Sequence, residues 1–499
     1  MVGASGGTDR YAGMFGFDWV TYDGNPLGVD ADLNFNLLQL PDVTAIRDRY
    51  LQVEALSGGS GDDILRGLGR AAEDTLASDD LNKMTEDDLP VIQGLNELLR
   101  PPAATTDYAT RFLAGALVPP TDGVNNIILG GSGSDLIEGR SGNDVIDGDA
   151  VLRVRLVHGG TEYTTAAQLE DAVFAGTVNP GDITFVRRIV VDPGAEDDED
   201  TLVYAGAYAD PEDPEADPGF SIQLLHGDYW QIIDLSDPEL GEGSDIVRNI
   251  EMVQFGDGTC VTLNPDGTLG ECASLGFVTF GGQIDPPTED EPLTAQVHFE
   301  DAEGNPTVTN PTQVRFNWQS GEPGDWAPSP TGDTLPDPGG RTDTFVPGDA
   351  DVDEMLRVVV TFRDDTGRLR QIASGVVGTE ANPLPVVENV NDAPSAVTLN
   401  TLNPVVGQGL LASNLSDPDG MEDALEEGLT YTWQSSGDGF VADIQELAVR
   451  VAPDDTTFGY LVQGGDVGRR IRVVITYTDD LGADETVVSP VTNPVAAAP

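Results

Sequence analysis

Basic charge is what this 499-residue chain has least of. It carries 24 Lys+Arg against 87 Asp+Glu, a formal charge of −63, and Lys83 is its one lysine. A phosphate backbone needs a basic face, so nucleic acid is excluded as a partner, and an anionic lipid surface is disfavoured for the same reason. No stretch reaches the roughly eighteen uninterrupted apolar residues that a membrane-spanning helix needs, so no membrane insertion is expected. Histidine is scarce too. His158, His226 and His298 lie far apart in strand-like segments without metal-ligand spacing, and G-x-S-x-G and Cys–His pairings are missing. A non-catalytic chain is therefore expected. Cys260 and Cys272 are the only cysteines and flank the turn-like Asn264-Pro265-Asp266-Gly267. They read either as a hairpin disulfide in an oxidising compartment or as two unpaired thiols.

Turn formers, in contrast, are abundant. With 59 Gly and 34 Pro the composition favours many turns and short strands over long helices. Hydrophobic residues at 39%, with 16 Phe, 11 Tyr and 5 Trp, are enough for several modest cores and exclude wholesale disorder. The acidity has two compatible sources: adaptation of the whole chain to salt, or carboxylates held for a divalent cation.

A nine-residue glycine–aspartate period dominates the first 150 residues. Gly58-Gly59-Ser60-Gly61-Asp62-Asp63-Ile64-Leu65-Arg66 fits G-G-x-G-x-D-x-U-x, with U a large apolar residue. Gly130-Gly131-Ser132-Gly133-Ser134-Asp135-Leu136-Ile137-Glu138 fits as well, and Gly139-Arg140-Ser141-Gly142-Asn143-Asp144-Val145-Ile146-Asp147 follows in register. Gly7 and Gly16, Asp9 and Asp18, and Tyr11 and Val20 share the same phase, and Asn126 takes the Asp position one register before Asp135. This nonapeptide is the repeat of calcium-binding parallel β-helices. Glycine permits the tight, positive-φ turns that aim carbonyls at one point. The aspartate adds carboxylate oxygen for Ca²⁺, and the x-U-x part forms a short strand whose U side chain turns inward. Residues eighteen apart stack on one side, so Asn126 and Asp144 are expected to flank one ion. The expected calcium ligands are Asp9, Asp18, Asp63, Asn126, Asp135 and Asp144, with Gly7, Gly16, Gly59, Gly61, Gly131, Gly133 and Gly142 shaping the turns. Several calcium ions are expected as partners.

Between residues 68 and 122 the period vanishes. Leu89, Ile92, Leu95, Leu98 and Leu99 predict one helix, Tyr108, Phe112 and Leu117 a second, and 165–175 a smaller third. Alternation at Val151–Val157 and Phe220–Leu225, with Tyr229–Asp234 as partner of the latter, predicts a β-rich cap.

These repeats, together with Gly28-Val29-Asp30-Ala31-Asp32-Leu33, resemble the RTX β-roll of very large secreted bacterial proteins, and Asp200-Thr201-Leu202-Val203 and Gly243-Ser244-Asp245-Ile246-Val247 are similar to stretches that follow the repeats there. The resemblance covers roughly residues 3–262. It implies calcium as cofactor, export by a type I system to the cell surface or medium, and, in some relatives, a neighbouring haem peroxidase domain. An accessory calcium-binding region of such a peroxidase is thus the alternative function. The acidic, proline-rich insert at 209–219 departs from the family pattern. Both chain ends read as cuts from a longer protein.

The second half repeats with a period near 115. Trp318-Gln319-Ser320 recurs as Trp433-Gln434-Ser435, and Arg357-Val358-Val359-Val360 as Arg472-Val473-Val474-Ile475. Two all-β sandwiches of immunoglobulin or cadherin type are expected. At their junction Asn389-Val390-Asn391-Asp392-Ala393-Pro394 resembles a cadherin-like calcium linker, with Asp417 and Asp419 as further ligands, or is a plain proline turn. The expected fold is mainly β: a parallel β-roll at 1–150 with a helical insertion at 68–122, a β-rich cap at 151–274, and immunoglobulin-like β-sandwiches at 275–388 and 389–499. The expected role is structural or adhesive, toward copies of the same chain or a cell-surface or matrix ligand.

Overall fold

The computed structural model describes residues 8–14, 16–35, 48–69, 83–101, 107–113, 125–192, 198–206, 208, 219–235, 242–256, 259–272, 275–300, 304–322, 325–329, 341–378, 385–452 and 458–498. Gly7, Leu117 and most of the insert at 209–219 fall outside them. The chain is mainly β and forms two compact units, one of residues 1–287 with 291–387, the other of 288–290 with 388–499.

The first unit is built on two seven-stranded sheets whose parallel strands alternate along the chain. Trp19–Thr21, Ala55–Ser57, Ile127–Leu129, Val145–Asp147 and Ser244–Arg248 lie side by side, all parallel, in a first stack. Asp30–Asp32, Ile64–Arg66, Leu136–Glu138, Thr201–Val203 and Met252–Gln254 form a second. The nonapeptide explains the short strands. In x-U-x only the middle side chain faces the opposite stack, and the glycine turn then reverses the chain. Accordingly Val20, Ala31, Leu56, Leu65, Ile128, Ile137, Ile146, Leu202, Val247 and Val253 meet in one buried core. Antiparallel hairpins continue both stacks on the far side: Phe220–His226 with Tyr229–Asp234, and Cys260–Leu263 with Leu269–Glu271. Cys260 and Cys272 are joined in a disulfide across the second hairpin.

The outer face of the first stack is covered by the helical segment. Leu89, Leu95, Leu98, Leu99, Tyr108 and Phe112 pack on Trp19, Ala55, Ile127 and Val145. The single helix expected over Leu89–Leu99 is broken, however. A 3₁₀ turn at Leu89–Val91 is followed by a helix over only Leu95–Leu99, because Gly94 between them stands at φ +90. The second expected helix is a 3₁₀ turn, Tyr108–Arg111, and the third runs Ala167–Phe174. That last helix belongs to an excursion between the two stacks. Its strands Ala150–His158, Thr161–Tyr163 and Thr184–Val191 form an antiparallel sheet, turned at Gly159-Gly160, both at positive φ as a two-residue hairpin requires. Parallel stacking therefore resumes after residue 200, well beyond 150.

Residues 275–387 form a three-stranded and a four-stranded antiparallel sheet around Trp318, which is fully buried. They belong to the same unit as the stacks. Arg363 pairs with Asp62, Arg368 and Arg370 both pair with Glu199, and Gln254 Nε2 donates to the Gln371 carbonyl at 3.2 Å. The second unit repeats the three-plus-four arrangement around Trp433. The repeat extends to register: Trp318 faces Val358 and Trp433 faces Val473. Arg357 Nε donates to Gln319 Oε1 at 2.7 Å, and Arg472 Nε to Gln434 Oε1 at 2.9 Å.

Candidate metal centre

One position recurs through both stacks: the residue immediately before the x-U-x strand. In the second stack it is occupied in turn by Val29, Asp63, Asp135, Asp200 and Glu251. Each carboxylate accepts the backbone N–H of the equivalent residue one coil earlier. Val29 donates to Asp63 Oδ1 at 2.7 Å, Asp63 to Asp135 Oδ1 at 2.7 Å, Asp135 to Asp200 Oδ1 at 2.8 Å, and Asp200 to Glu251 Oε2 at 2.8 Å. In the first stack the rungs are Asp18, Glu54, Asn126, Asp144 and Asp245. Asp18 N–H donates to Glu54 Oε2 at 2.7 Å, Asn126 N–H to Asp144 Oδ1 at 2.6 Å, and Asp144 N–H to Asp245 Oδ1 at 2.8 Å. The expected neighbours Asn126 and Asp144 are thus on adjacent coils.

The second carboxylate oxygens behave differently. Asp63 Oδ2 accepts Gly59 N–H at 2.6 Å and Asp245 Oδ2 accepts the Tyr204 hydroxyl at 2.7 Å. Asp18, Asp135, Asp144 and Asp200 each leave a buried Oδ2 with no hydrogen-bond partner among the described residues. Asp135, Asp144 and Asp200 are themselves 0% exposed. An unpaired buried carboxylate oxygen is expensive, and a charged one more so. Burial first, and then the neighbouring Asp200 and Asp63 charges, push the Asp135 carboxyl well above the usual range. Burial and then Asp245 do the same to Asp144. Burial lifts Asp63 to about 7 and Glu54 to about 8. Such a column is costly to ionise, and a shared cation would lower that cost. Hard oxygen donors in this number suit Ca²⁺.

The turns are as tight as the pattern demands. Gly131 and Gly133 stand at φ +110 and +119, and a Cβ on Gly131 would lie 2.2 Å from the Gly59 carbonyl oxygen. Gly59 and Gly61 pack against the preceding coil, and Gly142 also has positive φ, at +117. Gly16 has positive φ but open space around it. Asp9 stands apart from the two columns. Its strand, Arg10–Ala12, pairs in parallel with Arg49–Leu51 in a separate small sheet, where its N–H donates to Asp48 Oδ1 at 2.7 Å.

No known protein family and no curated protein matches the chain. Among solved structures it is similar to one concerning host cell surface retention of a 1.5-MDa bacterial ice-binding adhesin, at 13% identity and a TM-score of 0.17, over 71% of this chain and 94% of that one. It is also similar to the FN1–FN3 domains of chicken CNTN1, at 12% identity and a TM-score of 0.14, over 56% and 100% of the two chains. At these scores neither likeness bears on fold or function.

Sequence reasoning left four rungs out of the ligand set: Glu54, Asp200, Asp245 and Glu251. Ser244-Asp245-Ile246-Val247 and Asp200-Thr201-Leu202 carry the D-x-U signal but lack the full glycine frame. Glu54 and Glu251 were hidden because Glu stands where Asp was sought. In the second unit the three junction aspartates do converge. Asp392 N–H donates to Asp419 Oδ2 at 2.8 Å, Asp419 N–H to Asp417 Oδ1 at 3.2 Å, and the Tyr477 hydroxyl to Asp417 Oδ2 at 2.5 Å. Asp419 Oδ1 and Asp479 Oδ2 are buried there without a partner among the described residues. No described helix is long and apolar enough to cross a membrane.

Proposed function

We propose that the chain is a calcium-loaded, non-catalytic segment of a large exported RTX-type protein, serving structural or adhesive roles at the cell surface or in the surrounding matrix. The observation that carries this reading is the pair of carboxylate columns, in which four buried Oδ2 atoms beside glycine turns have no hydrogen-bond partner among the described residues. The ions would be held by Asp18, Asp63, Asp135, Asp144 and the turn backbone, with Asn126, Asp200 and Asp245 extending the columns; bound calcium supplies charge neutralisation. Asp63, Asp135, Asp144, Asp200 and Asp245 already accept a neighbouring coil's N–H instead of facing an open cleft, which suits a structural ion and not a reacting substrate. On this reading the alternating strands form a calcium β-roll that closes only where the ion is abundant, outside the cell. The sandwiches then supply reach, and Asp392, Asp417 and Asp419 a further calcium site within the second unit. Titration of the EGTA-stripped chain with calcium, followed by far-UV circular dichroism, is expected to give a saturable gain in β signal that EGTA reverses. A spectrum indifferent to calcium would remove the basis of the proposal.

A further inference from the structure

Between the strands Val145–Asp147 and Thr201–Val203 the chain leaves the first stack after Asp147 and re-enters in the second at Thr201. Asp149 marks the departure, and Asp198 and Asp200 the return. Counted from the flanking strands, Asp149 and Asp198 stand where the unbroken repeat has Gly131 and Gly133. One carboxylate oxygen from each of Asp149, Asp198 and Asp200 lies within 4.8 Å of the others. Asp200 is 0% exposed. Its Oδ1 accepts Asp135 N–H, while its Oδ2 has no partner among the described residues. That free oxygen points at the Gly148-Asp149 corner, since a Cβ on Gly148 would come within 2.2 Å of it. Asp198 Oδ2 accepts Gly133 N–H at 2.9 Å. Glu199 is turned away and engaged by Arg368 and Arg370, which leaves it outside the set. Burial, then Asp147, Asp198 and Glu251, hold the Asp149 carboxyl up at about 7, which reflects the crowding of negative charge at this corner.

We propose that Asp149, Asp198 and Asp200 bind a calcium ion of their own, which clasps the two feet of the 150–192 excursion. The inference rests on the calcium reading above and adds a site that no glycine repeat marks. The Asp192 N–H to Asp149 carbonyl bond, at 3.0 Å, already closes the base of the excursion's sheet. The ion would tie the returning chain to that base. Three converging carboxylates supply hard oxygen in the flexible arrangement that Ca²⁺ accepts more readily than Mg²⁺.

The test uses the whole chain, stripped with EGTA and titrated with CaCl₂ under isothermal calorimetry and native mass spectrometry, wild type against the double variant D149N/D198N. Neither substitution touches a rung of the columns, and the amide introduced by Asp198→Asn keeps an acceptor for the Gly133 N–H. The variant is expected to bind one ion fewer, to keep the wild-type change in circular dichroism, and to lose calcium-dependent hydrogen-exchange protection over 150–192. Equal calcium counts would overturn this site and leave the general reading standing, whereas a wild type that takes up no calcium would sink both. Loss of a bound magnesium ion with the calcium count unchanged would likewise overturn it. Should the double variant not fold, D198N alone at a half-buried position makes the same comparison, with occupancy of one site expected to weaken at least about tenfold.

Discussion

Asparagine in place of Asp135 separates a metal ligand from a purely structural carboxylate, because the expected effect changes sign with calcium. Asp135 Oδ1 accepts Asp63 N–H at 2.7 Å and its Oδ2 has no partner among the described residues. Asparagine keeps the accepting oxygen, removes the charge and puts an amide NH2 in place of Oδ2. Burial, and then the Asp200 and Asp63 charges, raise the Asp135 carboxyl well above its ordinary range, so its ionised form weighs against the metal-free fold. A buried acceptor left without a partner costs about 1–3 kcal/mol, and a charged one at least that. In EGTA at pH 7.5, Asp135→Asn is therefore expected to stabilise the first unit by about 1–3 kcal/mol. In millimolar calcium the neutral amide is the poorer ligand. Each tenfold loss of ion affinity removes about 1.4 kcal/mol, so the same variant becomes less stable than wild type. Urea unfolding followed by far-UV circular dichroism, with and without EGTA, reads both arms. Destabilisation of equal size in the two conditions would refute the reasoning and leave Asp135 as a hydrogen-bonding residue only.

Other outcomes follow from neighbouring features. Burial holds Glu54 and Glu242 at about 8 instead of 4.5, so both bind protons more tightly folded than unfolded. Metal-free stability should be full below pH 4.5 and fall as pH rises toward 8, with a shallower fall in Glu54→Gln; a flat profile in EGTA would contradict this. Ile137→Ala empties part of the core between the stacks, where Ile137 is 0% exposed. It should cost about 2–5 kcal/mol with or without calcium, measured by the same unfolding assay. Arg140 grips Asp32 through both terminal nitrogens, at 2.7 and 2.9 Å, deep in the fold. Arg140→Leu removes both of those charged hydrogen bonds and should cost about 3–5 kcal/mol, while adding Asp32→Leu should recover much of the loss.

What the sequence made legible was whatever repeats locally. Asp63, Asp135 and Asp144, with Leu65, Ile137 and Ile146 two residues further on, carry the period in full, and they mark both the columns and the core behind them. The 115-residue repeat was equally open to reading, whereas the Trp–Val register that each sandwich shares is set by strand pairing. Longer-range physics was hidden. Asp200 and Asp245 are rungs only because the chain returns to the stacks after an excursion, and no local period records a return. The break at Gly94 came from a backbone conformation that the apolar spacing of Leu89–Leu99 does not express. The seating of 275–387 against the second stack depends on Arg363, Arg368 and Arg370 meeting Asp62 and Glu199, a pairing of surface charges with no signature along the chain.

Crystals of the chain grown in millimolar calcium, with diffraction collected where calcium scatters anomalously, address the central claim most directly. Anomalous peaks within coordination distance of the Asp135 and Asp144 Oδ2 atoms are the expected result. Ordered water alone at those oxygens, with no anomalous signal, would contradict the account.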